Sequence, residues 1–145
     1  MNDPEFWMRG PIEDVPALLQ PVAHALLQMN SEFSDCLDEF NEKLLWEKPL
    51  GVASVGFHVL HVIGVIDRMF TYGEERMLSE EQFEYLKEES LGHSHLGTQE
   101  LKHRLNAAID IAVEKLKAVN ISQLTEIRYL GRKRVPVTLI GLLFH

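Results

Sequence analysis

Polar side chains stand out at a few points of the apolar segment GFHVLHVIGVIDRMFTY: His58, His61, Arg68 and Tyr72. Three residues apart on a helix, His58 and His61 are separated by about 60° around the axis and one turn along it. Two imidazoles so placed can point into one cavity, and imidazole is a common ligand of zinc, nickel and ferrous iron. The same spacing also fits one imidazole hydrogen-bonded inside a core and the other facing solvent. Arg68 and Tyr72 fall on the histidine face. There they could bind an anionic or thiol-bearing substrate beside a metal. Equally, Arg68 could pair with a core-facing acid on another helix while Tyr72 packs its ring and wets its hydroxyl. His145, in a second apolar segment, could add a ligand to that face, as facing helices do in bundle metal sites, or stand as a frayed terminal residue. The remaining histidines carry less: His24 reads as exposed, His93 and His95 as solvated in a Gly/Ser loop, and His103 as part of a polar helix face. Cys36 lies close to an apolar stripe without a basic neighbour and reads as a packed small hydrophobe. No Ser/His/Asp arrangement, phosphate-cradling glycine loop or paired-carboxylate motif is present, so no residue is named as catalytic.

The elements that must carry these residues follow from periodicity. Residues 1–15 form an extended lead-in, with Trp7 as a packing anchor. A first long helix begins near Leu18, tolerates Pro21 in its first turn, and buries Val22, Leu26, Met29, Phe33, Leu37 and Phe40 as one stripe. Asn41 caps a short turn that ends at Lys48-Pro49. A second helix runs from about Ser54 to about Gly73, with Val59, Ile63, Ile66 and Phe70 opposite the histidine face. It is apolar nearly all round, which makes it central. Ser79 and Gln82 form a capping box opening a short helix through Phe83 and Leu86, and residues 90–98 read as a loop. Thr98 caps a further long helix that buries Leu101, Leu105, Ala108, Ala112 and Leu116. Around Gly131-Arg132 the sequence predicts a small charged β-ribbon or extended turn, after which Pro136 starts a last apolar helix. That helix is short for a bundle and stops without a cap, so the sequence predicts a chain that ends inside an element.

The fold expected is all-α: an antiparallel four-helix bundle with a short β-ribbon or extended turn before a shortened last helix, with residues 1–145 as one domain. Twenty-two acids against fourteen Lys and Arg leave a net charge of −8, which argues against nucleic acid and anionic membrane surfaces as partners. One cysteine forms no internal disulfide, and the N-terminal MNDPEFW lacks the layout of a signal peptide. No apolar run is expected to reach the ~20 residues that span a bilayer. These features predict a cytoplasmic protein.

Three segments, LLQPVAHALLQ, SVGFHVLHVIGVIDRMFTY and RYLGRKRVPVTLIGLLFH, resemble the DinB-like superfamily of small bacterial proteins, also called the YfiT-like metal-dependent hydrolases. The likeness runs from FWMRGP to the C-terminus, and GFHxxH is its most specific part. It implies a four-helix bundle, usually a homodimer, with a divalent metal (zinc, nickel or iron) held by three histidines at one end. The second-helix ligand of that motif matches His61. The other two ligands come from an HxxxH pair one and two turns beyond a segment like LLFH. His145 matches the histidine just before that pair, and the pair itself is absent here. The resemblance thus implies His61 as a metal ligand, with His58 and His145 at the edge of the site. Its activity would be metal-dependent thiol S-transfer, from a small-molecule thiol to an electrophilic substrate, or hydrolysis. A reading of another class is a metal-free helical binding or stress-response module that keeps the fold without the catalysis.

Overall fold

The computed structural model describes residues 3–145; Met1 and Asn2, at the head of the acidic N-terminal segment, lie outside the described residues. Among the described residues the chain is mostly helical, with five α-helices and one small antiparallel ribbon.

Most helix starts lie where side chains can satisfy the free N–H groups of a first turn. A 3₁₀ turn over Ala17–Leu19 leads into α1 (Gln20–Glu39), with Pro21 in the first turn, where its missing N–H costs nothing. Asn41 caps a 3₁₀ turn, Glu42–Leu44. The Ser54 hydroxyl accepts from the Phe57 N–H at 3.1 Å and opens α2 (Val55–Gly73). Ser79 and Gln82 close the predicted capping box at the head of α3 (Glu80–Leu91). That helix runs past Leu86 and stops at Gly92, which takes the left-handed φ of 65°. Four residues do something other than the sequence predicts. Thr98 is the first helical residue of α4 (Thr98–Lys117), and its N–H is satisfied from a distance by Glu42 Oε1 at 3.1 Å. Pro136 lies in a strand, and the last helix, α5 (Leu139–Leu143), is capped by Thr138, whose hydroxyl accepts from the Gly141 N–H. Trp7 is exposed, its indole donating to Glu5; the lead-in is tied instead by the Phe6 N–H to Gln28. Cys36 is exposed rather than packed, since its position turns past the buried edge of α1.

The core centres on α4, whose Leu101, Leu105, Ile109, Ala112 and Leu116 are fully buried. This helix packs against both α1 and α2, while α2 also meets α3 and α5. Of the α1 stripe, Val22 and Leu37 are buried and Leu26, Met29, Phe33 and Phe40 only partly so. The ribbon pairs β1 (Ile127–Leu130) with β2 (Val135–Thr138), Ile127 opposite Thr138 and Tyr129 opposite Pro136. Both strands are edges, so a proline that cannot donate to a ladder is tolerated.

The expectation that no stretch reaches spanning length is corrected: Pro49–Gly73 is long and apolar enough, by length and composition, to cross a membrane. The charges within it are engaged by neighbouring elements, Arg68 by Glu89 and Asp67 by Gln82.

Candidate functional site

One face of α2 carries His61, Gly64 and Arg68 at steps of three and four, and α3 lies against it. Gly64 lets the helices approach. A Cβ there would stand 2.6 Å from Arg68 Nη1 and Glu89 Oε2 and 2.7 Å from the Tyr85 ring. Through that gap Glu89 enters with only 3% of its side chain exposed. Its Oε2 accepts from Arg68 Nη1 at 3.2 Å and its Oε1 from Nη2 at 3.2 Å, a fork of the kind a guanidinium makes with a carboxylate. Oε1 also meets His61 Nδ1 at 2.6 Å. Beside it the Tyr85 hydroxyl donates to the Leu60 carbonyl at 2.7 Å. Burial, reinforced by the negative charge of Glu89, pushes the Tyr85 phenol well above its ordinary pKa.

The arrangement fixes the imidazole. A carboxylate held by a guanidinium is an acceptor only, so the hydrogen between it and the ring belongs to Nδ1. A neutral His61 then has its lone pair on Nε2, which has no hydrogen-bond partner among the described residues. The Phe57 ring stacks on His61 with centroids 5.3 Å apart and planes at 13°, restraining its rotation. With its side chain 45% exposed, His61 reaches a cavity of about 330 Å³ between α1 and α2. The rest of that cavity is apolar, with Leu26, Met29, Val65 and Leu142 in its wall, except for His145.

Of the residues singled out in the sequence, the structure brings His61 and His145 to one cavity. His58 is exposed, edge-on to Phe57, and does not line it. Arg68 is buried against Glu89, the pairing that the sequence left as one of two alternatives. Tyr72 lines a different cleft, beside the ribbon. His93, His95 and His103 are exposed, and His24 is half-buried with its ring bonded to the Gly10 carbonyl at 2.9 Å. Glu89 was missed. It follows the predicted end of α3, and its signal was its place one turn beyond Tyr85, opposite a helix face that carries a glycine between a histidine and an arginine.

No family model, curated protein or solved structure matches the chain.

A metal ion suits the donor types at this cavity, two imidazoles with one already oriented by a carboxylate. The number is smaller than a catalytic zinc site uses, which is about three protein ligands. Among the described residues no group of three or more His, Cys, Asp and Glu side chains could hold a metal ion.

Proposed function

We propose that this protein is a DinB-like four-helix bundle that binds a divalent metal, zinc, nickel or iron, at the His61 cavity. The observation that carries the reading is the Glu89–His61 contact at 2.6 Å. Carboxylate partners of this kind fix the tautomer of metal-bound histidines and raise their basicity. In this reading His61 supplies Nε2, Glu89 holds the ring and Arg68 holds Glu89 in place. His145 offers the second imidazole, and His58, which does not line the cavity, takes no part. A bound divalent ion would supply Lewis acidity toward a small-molecule thiol or a water. What the chain itself does is hold one nitrogen lone pair toward an apolar space and keep a carboxylate out of that space. A cytoplasmic homodimer acting on a thiol and an electrophile belongs to the same reading.

The shortage of donors favours a second reading: a metal-free binding module whose apolar cavity takes a small molecule with one hydrogen-bond donor for Nε2. Thermal unfolding with and without added zinc or nickel, on protein free of affinity-tag histidines, separates the two. Metal binding predicts a rise in Tm for the parent that vanishes in His61→Ala, with the variant still folded. An equal rise in both proteins, or none in the parent, contradicts it.

A further inference from the structure

We propose that the cleft between the ribbon and the turn joining α2 to α3 is a second binding site, and that it takes a small phosphate monoester. The cleft has a volume of about 310 Å³, the scale of a small-molecule pocket. Four of the seven arginines of the chain line it: Arg76, Arg128, Arg132 and Arg134. Its acid is Glu75, and Glu74 and Glu126 pair with Arg76 and Arg128 from beside it, so the unpaired positive charge of the lining, in a chain of net charge −8, sits on Arg132 and Arg134.

Arg128 shows that the site is built into the fold. It is 3% exposed, and its Nε donates to the Gly73 carbonyl at 2.8 Å, joining the ribbon to the end of α2. Its Nη1 donates to Glu126 and to the Ile127 carbonyl. Its Nη2 has no protein partner among the described residues, yet it is not a sealed, unsatisfied atom. The Nη2 of a side chain that lines the cleft thus keeps donors without a protein partner among the described residues. Arg132 and Arg134 make no ion pair among the described residues; each lies over an aromatic ring, Phe83 at 5.4 Å and Tyr129 at 4.4 Å. Cation–π contacts of this sort hold a guanidinium in place without neutralising it. Arg76 pairs with Glu74, which also receives Lys115, as Arg128 pairs with Glu126.

The ligand class follows from charge and shape. A single carboxylate would offer only two acceptor oxygens to the unpaired guanidiniums of Arg132 and Arg134 and the remaining donors of Arg128. A phosphate monoester brings close to two negative charges and three acceptor oxygens, which guanidinium forks match. Met77, Leu78 and Phe83, with the ring of Tyr72, provide an apolar wall for its organic group. The acidic remainder of the surface disfavours a polyanion that extends beyond the cleft.

The experiment is a titration with phenyl phosphate, followed by amide NMR and calorimetry, with inorganic phosphate and phenol as separate arms. Phenyl phosphate is expected to shift resonances of residues 72–83 and 128–134 while leaving those around His61 unchanged. Arg132→Ala and Arg134→Ala, both at exposed positions, should each bind about tenfold more weakly, the loss of one charge-assisted contact. Inorganic phosphate should bind at the same place more weakly, and phenol not at all. Absence of shifts at the cleft would overturn the proposal, as would an affinity indifferent to both variants. Equal affinities for phenyl phosphate and inorganic phosphate would overturn the organic part of the assignment.

Discussion

Two regions of α2 use arginine in opposite ways. Along the middle of the helix, Arg68 is spent on Glu89 inside the protein, and the product of that neutral pair is an oriented imidazole at the wall of an apolar cavity. At the C-terminal end, Arg128 ties the ribbon to Gly73 and brings with it Arg132 and Arg134, guanidiniums that make no ion pair among the described residues. The first region has satisfied its charges and left a single nitrogen free. The second has satisfied its geometry and left charge free. A close helix contact at Gly64 makes the first arrangement, and an edge ribbon folded against a helix end makes the second. Charge at the two sites is therefore expected to respond differently to mutation.

The largest effect should come from breaking the buried pair. Arg68→Ala leaves Glu89 in a site without a counter-charge and should cost about 3–5 kcal/mol in denaturant unfolding. The double replacement Arg68→Met with Glu89→Leu should restore much of that stability, because apolar residues of similar volume remove the uncompensated charge. Gly64→Ala comes next. In an open helix alanine would gain about 1 kcal/mol over glycine. Here the added Cβ meets Arg68 Nη1 and Glu89 Oε2 at 2.6 Å, so a net loss of about 1–3 kcal/mol is expected from overpacking. A stabilised Gly64→Ala protein would show that the two helices are not in close contact.

Alkaline pH offers a smaller test of the same packing. The Tyr85 pKa is raised in the folded protein, chiefly by burial, so folding favours the neutral phenol. Its contribution is fully present below the unfolded value near 10 and is lost as pH rises above that toward the folded pKa. Stability should therefore fall with rising pH in the parent above about 10, and fall less steeply in Tyr85→Phe. Arg132→Ala should have the smallest effect on stability, within about 0.5 kcal/mol, since its head makes no ion pair among the described residues. A large loss there would mean that the ribbon arginines hold the fold rather than a ligand.

The helices were legible because their signals are local. Ser54, the Ser79–Gln82 box and Asn41 act within their own turn, and each caps what its sequence predicts. The failures are places where a remote group took over a local role. Thr98 was a plausible cap until Glu42, 56 residues away, supplied the acceptor. Pro136 suits a helix start as well as an edge strand, and pairing with β1 decided between them. At the site, the histidine face of α2 could be read from its spacing, and so could an acid as one partner for Arg68. Which acid it was could not, because Glu89 reaches Arg68 only through the space left by Gly64. The sequence predicts the ribbon arginines only as part of a small charged β-ribbon or extended turn; their convergence with Arg76 depends on where the end of α2 meets β1.

The most direct test of the account is the protonation pattern of the His61 ring, read by nitrogen NMR on histidine-labelled protein above the pH at which the ring is charged. The account predicts a neutral imidazole with its hydrogen on Nδ1, shared with Glu89, and a bare Nε2 whose resonance moves when zinc is added. A hydrogen on Nε2 instead, or an Nε2 signal indifferent to zinc, would contradict the role given to this residue.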